Sequence, residues 1–276
     1  MKPVRFDYVR PADLAQAVTL ASREDAVVKF LAGGQSLGPM LNLRLVQPDL
    51  LIDITGIAEL KRIERSADAL TIGSCITHAD IEDGRIDDVT GGALRTVAAG
   101  IAYRAVRNRG TVGGSLAHAD PSADWISALA ALGAEVVVQG TRQQRRFPVE
   151  NLMTGVFECS LTAGELLSGI RIPRLSPAAR WGYYKSCRKT GEFAHAIGAY
   201  LHDPDRSVSR AVIGATGGKP IVFTDASRLL GNPAKEETLN RRAVEQAMTS
   251  HGLADPIEQQ IHFACLRRAI VQANRR

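Results

Sequence analysis

Two short glycine-rich segments, about eighty residues apart, constrain this chain more than any other feature: Leu31-Ala32-Gly33-Gly34-Gln35-Ser36-Leu37 and Gly110-Thr111-Val112-Gly113-Gly114-Ser115-Leu116-Ala117. Glycine pairs let successive backbone N–H groups converge on an anion, because no Cβ blocks its approach. The hydroxyls of Ser36 and Ser115, just after the pairs, add a donor each. Either segment alone reads more readily as a tight turn after a strand. Together they can converge from two subdomains onto one dinucleotide and grip its pyrophosphate from both sides.

The first segment sits inside a predicted β-α-β unit. Residues 26–31 are an apolar run broken only by Lys29 and read as a buried strand; a helical stretch with Leu37, Met40 and Leu41 follows. Pro48 then introduces a second strand over 50–54, expected to pair in parallel with the first. Before this unit, residues 13–23 read as a helix from Leu14, Ala17, Val18 and Ala21. After it, short strands are expected near Ile63 and over 70–73, a helix over 88–99, and the second glycine segment as a loop. Asp120-Pro121 has the form of an N-cap followed by proline at the first helical position, and Gly133 closes that helix. Strands are expected over 135–139, 166–172, 182–188 and 209–215, and helices over 241–249 and 256–274. Pro173 and Pro177 mark the best domain boundary. The pattern is α+β with two lobes.

Two rival readings of the glycine segments fail on spacing. Asp53 lies twenty residues after Gly33 at a strand end, where the ribose-binding acid of a Rossmann site would stand. The first segment, however, reads Gly33-Gly34-Gln35-Ser36-Leu37-Gly38 rather than G-x-G-x-x-G, and no Walker lysine follows. Asp53 is therefore read as a turn or capping residue. The net charge of +5 and a pI near 9.2 raise the possibility of a nucleic-acid partner. The densest basic run, Arg142, Arg145 and Arg146, has no interleaved aromatics for base stacking, so it is read as a solvated turn and nucleic acid is excluded. Cys75, Cys159, Cys187 and Cys265 share no C-x-x-C spacing and the histidines no H-x-x-x-H pair, so no metal or iron–sulfur site is expected here, only free thiols in a reducing compartment. No segment approaches the ~18 to 20 apolar residues of a membrane span, and residues 1–10 lack a signal-peptide core. Cytoplasmic location is expected.

The segment 32–37, together with Arg107-Asn108-Arg109-Gly110-Thr111-Val112-Gly113-Gly114-Ser115-Leu116-Ala117-His118-Ala119-Asp120-Pro121-Ser122-Ala123-Asp124, resembles the medium, FAD-binding subunit of the molybdenum hydroxylases, the family of carbon monoxide dehydrogenase and xanthine dehydrogenase. The resemblance runs from Pro3-Val4-Arg5-Phe6-Asp7-Tyr8 through Tyr184-Lys185 to the closing helix. It implies a PCMH-type FAD-binding lobe over residues 1–175, with subdomains 1–55 and 56–175, followed by a C-terminal α+β domain of the CO dehydrogenase flavoprotein type over 176–276.

The resemblance also implies site roles. The backbone of Leu31, Ala32, Gly33, Gly34, Gln35, Ser36 and Leu37, and that of Gly110, Thr111, Gly113, Gly114 and Ser115, would bind the FAD pyrophosphate, with Lys29, Ala117 and His118 nearby. Asp124 would accept hydrogen bonds at the ribose or adenine end. Ile101 and Leu167 would pack on the rings, and Lys185 would neutralise charge near the isoalloxazine. Trp125, bulkier than expected after Asp124, and Thr190-Gly191-Glu192-Phe193, with glutamate in place of aspartate, depart from the family pattern.

The chemistry implied is the cofactor's, with the protein supplying binding and orientation. A large molybdopterin subunit would oxidise substrate, a small subunit would relay electrons through [2Fe-2S] clusters, and FAD in this chain would pass them to an external acceptor, in a heterotrimer or dimer of heterotrimers. The alternative within the same superfamily is a stand-alone reductase similar to the enzyme acting on UDP-N-acetylenolpyruvylglucosamine. Valine at positions 33 and 114 is expected to abolish FAD retention by blocking the diphosphate.

Overall fold

The structure is a computed structural model that describes residues 2–230 and 238–275. Its first layer is a three-stranded sheet, β1 (Asp7–Val9), β2 (Val28–Leu31) and β3 (Leu50–Asp53), in the order β1-β3-β2 with both pairings parallel. Helix α1 (Leu14–Ala21) starts at Asp13, whose carboxylate accepts from the Gln16 amide. Helix α2 (Leu37–Asn42) makes the crossover from β2 to β3. The β-α-β unit is as the sequence implies, but β2 is an edge strand and only partly buried. Its apolar composition serves a cleft as well as the core. The central β3 is buried throughout.

The second layer is a five-stranded antiparallel sheet in the order β4-β5-β10-β6-β7. Its strands are β4 (Ile63–Arg65), β5 (Ala69–Gly73), β6 (Glu135–Gln139), β7 (Gln144–Pro148) and β10 (Leu166–Pro173), with a small hairpin of β8 (Met153–Gly155) and β9 (Glu158–Cys159) inserted. Between β5 and β6 run five helices: α3 (His78–Glu82), α4 (Ala93–Ala99), α5 (Arg104–Arg107), α6 (Val112–His118) and α7 (Asp124–Leu132).

Several of these differ from the sequence reading. The helix expected over 88–99 begins only at Ala93, because Gly91 and Gly92 take left-handed φ values of 58° and 88° and break the first turn. The helix expected to start at Asp120-Pro121 starts at Asp124; the Asp120 carboxylate instead accepts from the Ser122 amide and closes a tight turn. Gly133 does end it, at φ 69°. Arg145 and Arg146 lie in β7, ion-paired with Glu165 and Glu135, and not in a solvated turn.

The third layer is a four-stranded antiparallel sheet of β11 (Arg180–Ser186), β12 (Ala196–Asp203), β13 (Val208–Gly214) and β14 (Ile221–Phe223), in sequence order. It is followed by α8 (Ser227–Leu230), α9 (Arg241–Ser250) and α10 (Pro256–Asn274). Every residue of α7 is buried, because the helix lies against both β10 and the β12–β13 pair. On the other face α10 comes close enough that a Cβ on Gly182 would stand 1.9 Å from the Ala269 carbonyl oxygen, and one on Gly198 2.3 Å from Cys265. With both faces covered, β12 is apolar almost throughout and lacks alternation.

The core around α7 draws on Leu70, Ile72, Val136 and Ile170 from the second layer and on Ala199, Leu201 and Val212 from the third. A separate cluster gathers Ala17, Val18, Ile52 and Ile57 with Leu60 and Leu166. The proline-bounded stretch 173–177 is pinned: the Arg174 amide donates to Asp68, the Leu175 amide to Val89, and the Ser176 amide and hydroxyl to the buried Asp203 carboxylate at 3.0 and 2.6 Å.

Candidate functional site: a cleft between the first two layers

A cleft of about 1160 Å³ runs between the first sheet and the helices that follow β5, larger than the ~300 to 1,000 Å³ usual for a single small molecule. Of the residues singled out in sequence, Lys29, Ala32, Gly33, Gly34, Gln35, Ser36, Leu37, Ile101, Gly110, Thr111, Gly113, Gly114, Ser115, Ala117, His118, Asp124 and Leu167 line it. Leu31 does not. It stays in the ladder opposite Asp53, where its carbonyl accepts from the Ile54 amide. Lys185 also stands outside the lining.

The two glycine segments touch. A Cβ on Gly33 would fall 2.1 Å from the Arg109 carbonyl oxygen and 2.8 Å from the Gly110 Cα. They are not equivalent as donors. Among the described residues, the amides of residues 33–37 find no protein acceptor, and Gly34 holds φ at 71° to keep this turn open. The second segment is a helix start and not a loop, with Thr111 as N-cap of α6. Its amides are already committed: Gly110 to Val106, Val112 to Ile76, Gly113 to Ser74, Gly114 to the Thr111 hydroxyl and Ser115 to the Thr111 carbonyl. Among the described residues, only the Thr111 amide and the Ser115 hydroxyl of this segment are left without a partner.

The glycines of this second segment serve close packing. A Cβ on Gly113 would meet Ser74 at 2.3 Å, and one on Gly110 would meet the His78 ring at 2.9 Å. The expected effect of valine at 33 and 114 needs a different cause as well. The new side chains would strike Arg109 and the Thr111 hydroxyl (2.9 Å from a Cβ on Gly114), forcing the segments apart.

Asp124 is the first residue of α7 and is buried at the cleft wall. The Tyr183 hydroxyl donates to it at 2.7 Å, and the Lys185 ammonium lies 3.0 Å away with its side chain only 9% exposed. Burial pushes the Asp124 carboxyl up from the usual carboxylate range, and Lys185 and Tyr183 oppose that push. Lys185 also donates to the Gly100 carbonyl at 2.9 Å. Arg107 holds the same turn from the other side: one guanidinium nitrogen donates to the carbonyls of Ile101 and Ala102, both at 2.9 Å, while the opposite edge forms a bidentate pair with Glu82. Ala102 is thereby fixed at φ 43° and Ile101 is turned into the cleft. A Cβ on Gly191 would come 2.5 Å from the Ala102 carbonyl oxygen, which brings residues 188–195 onto this turn.

Sequence reasoning missed the rest of the wall. Phe157, Leu161 and Glu165 line it from the β8–β10 region, and Tyr103, Arg188 and Phe193 form part of its rim. Phe157 has φ 58°, donates its amide to Ala119 and stacks on His118 with ring centroids 5.0 Å apart. Arg145 holds the Glu165 carboxyl down at about 2 through paired hydrogen bonds of 2.7 and 2.8 Å. Tyr8, Arg10 and Thr55 surround Asp53, whose carboxylate accepts from the Thr55 amide at 2.9 Å, so Asp53 is a turn residue as read.

Residues 4–175 match the family described as the FAD binding domain in molybdopterin dehydrogenase. The chain is 30% identical to caffeine dehydrogenase subunit beta of Pseudomonas sp. (strain CBB1), over 95% of this chain and 98% of that one. It is 33% identical to the nicotine 6-hydroxylase medium subunit of Paenarthrobacter nicotinovorans, over the full length of both. Among solved structures, carbon monoxide dehydrogenase from Hydrogenophaga pseudoflava, in a form lacking the Mo-pyranopterin moiety of its molybdenum cofactor, superimposes with a TM-score of 0.86 at 29% identity, covering 100% of this chain and 99% of that one. The chain belongs to the family of FAD-binding domains of molybdopterin dehydrogenases.

Proposed function

We propose that this chain is the FAD-binding, electron-transferring subunit of a molybdenum hydroxylase complex, with residues 1–175 holding the cofactor and residues 176–276 forming a C-terminal domain. The observation that carries this reading is the row of amides at 33–37, without an acceptor among the described residues, opening on a dinucleotide-sized cleft in a chain of this family. Those amides, with the Thr111 amide and the Ser115 hydroxyl, would hold the diphosphate. Ile101 and Leu167 supply apolar walls for the rings, and Asp124 an acceptor for a ribose hydroxyl or the adenine amino group. Lys185 acts through Asp124 and the Gly100 carbonyl, not by direct contact. Bound FAD supplies a carrier that takes up two electrons and returns them to an external acceptor.

The partners are a large molybdopterin subunit and a small [2Fe-2S] subunit. On this reading the small subunit carries the clusters and this chain the flavin. The exposed aromatics Tyr103, Phe157 and Phe193 at the cleft mouth support a covered or docked rim. The stand-alone reductase reading gains no support from the family match. Among the described residues no helix is long and apolar enough to cross a membrane, and we place the complex in the cytoplasm.

The test is co-expression of the full chain with its two partner subunits. A yellow complex with one FAD per copy of this chain, whose flavin bleaches on adding substrate only when the cluster-bearing subunit is present, is the expected result. A flavin-free complex, or flavin reduced equally well without the cluster subunit, overturns the reading.

A further inference from the structure

His78 belongs to neither glycine segment, yet it forms part of the cleft wall. It is the first residue of α3, placed there by the Thr77–Asp80 capping box, and is 5% exposed. Its amide donates to the Gly110 carbonyl at 2.9 Å, and the Cδ2–Nε2 edge of its ring lies against Gly110, itself a cleft residue. The opposite edge faces the core. There the indole Nε1–H of the fully buried Trp125 donates to Nδ1 at 3.1 Å.

An indole N–H can only donate, so Nδ1 carries the lone pair and a neutral ring must carry its proton on Nε2. Burial, with the Arg107 guanidinium adding to it, pushes the imidazole down to about 4, which keeps the ring neutral at working pH. One tautomer is therefore locked from the core side. Its Nε2–H finds no acceptor among the described residues. The residue is nearly buried but Nε2 itself opens on the cleft, so whatever fills the cleft can accept its hydrogen bond.

We propose that His78 is an FAD-binding residue whose Nε2–H donates a hydrogen bond to the bound dinucleotide, and that Trp125 is the positioning residue that keeps the proton on that nitrogen. This rests on the reading of the cleft as the FAD site. It gives the β5–α3 junction a direct part in binding, and it gives Trp125, the departure from the family pattern noted in the sequence, a function. A neutral donor suits an uncharged acceptor on the flavin ring or ribityl chain as well as a phosphate oxygen.

Two substitutions separate the two edges of the ring. His78→Asn keeps an amide oxygen near the Nδ1 position, so Trp125 retains an acceptor while the cleft donor is lost. His78→Gln places an amide N–H near Nε2 and leaves Trp125 without its acceptor. Deflavinated full-length protein is titrated with FAD by flavin fluorescence, and each variant is melted without FAD. The Asn variant is expected to bind FAD about tenfold more weakly, the loss of one hydrogen bond of roughly 1.4 kcal/mol, with little change in Tm. The Gln variant is expected to bind within about threefold of wild type while melting earlier.

A shifted visible flavin band in the Asn variant assigns the acceptor to the ring, and an unshifted band assigns it to the ribityl-diphosphate chain. If FAD affinity instead follows Tm, weak in Gln and normal in Asn, His78 is only structural and the inference falls while the cleft assignment stands. Wild-type protein that takes up no FAD overturns both.

Discussion

Gly33→Ala is the sharpest test of how the cleft is built. The added Cβ would stand 2.1 Å from the Arg109 carbonyl oxygen, 2.7 Å from its carbon and 2.8 Å from the Gly110 Cα, whereas ordinary contact begins near 3.4 Å. All three atoms are backbone, so no side chain can swing away, and the segments must part by more than 1 Å. Forcing a methyl into packed structure costs about 1 to 3 kcal/mol. The apo protein can relieve most of this by letting residues 33–37 move outward, since that turn makes few bonds of its own. On the proposed site assignment, bound FAD would remove that escape, because the amides of 33–37 and the groups at Thr111 and Ser115 would have to reach one diphosphate together. The strain is transferred to the binding equilibrium, where 1 to 3 kcal/mol is a weakening of roughly 5- to 150-fold. Fluorescence titration of the deflavinated chain measures it, with Gly38→Ala as control, since a Cβ there meets nothing within 4 Å. A Gly33→Ala protein that binds FAD as tightly as the Gly38→Ala protein, with an unchanged melting curve, would refute the argument.

Other sites give independent expectations. Gly198→Ala, whose Cβ would lie 2.3 Å from Cys265, should lift α10 from the third sheet and cost about 1 to 3 kcal/mol in urea unfolding, with FAD affinity of the folded fraction unchanged. Lys185→Met leaves Asp124 and the Tyr183 hydroxyl buried without their cation and frees the Gly100 carbonyl, so stability should fall by about 3 to 5 kcal/mol and FAD retention with it; a Lys185→Met protein as stable as wild type would sink this account of the pair. Glu165 is held at about 2 in the folded chain against an ordinary 4.5, so its pairing with Arg145 contributes stability above pH 4.5 that is lost as pH falls toward 2. With Arg145 a third exposed, screening limits this to about 1 to 2 kcal/mol, and Tm should drop less between pH 5 and pH 3 in Glu165→Gln than in wild type.

What was legible in the sequence was local. Helix α10 shows both of its ends because Asp255 and Pro256 cap its start and its length gives periodicity room to appear. Both glycine segments stand out by composition alone. Strand β12 does not, because burial on both faces removes the alternation that marks a strand, and α3 is too short to show a period. Asp120-Pro121 misled because an aspartate that closes a turn and one that caps a helix look alike until the next three residues are seen in place. The cleft wall contributed by Phe157, Leu161 and residues 188–195 carries no signature, since those residues reach the cleft through contacts distant in the chain. The bond from Trp125 to His78 spans 47 residues and had no local signal; Trp125 stood out in sequence only as bulkier than the family pattern.

The two glycine segments show why composition alone could not assign their parts. In residues 33–37 the glycines leave amides without partners among the described residues, so this turn has donors to offer a ligand. In the second segment nearly the same residues have those donors bonded to Ile76, Ser74 and Thr111, and the missing Cβ atoms let Ser74 and His78 press against the backbone. Flexibility and close packing are the two uses of a residue without a side chain, and they place opposite demands on the backbone N–H. On the proposed FAD assignment, the second segment is a wall completed before any ligand arrives, and the first a turn whose bonding the ligand would finish. A diphosphate in this cleft would be grasped chiefly from the side of 33–37 and braced by the side of 111–115, so binding should order the first turn far more than the second.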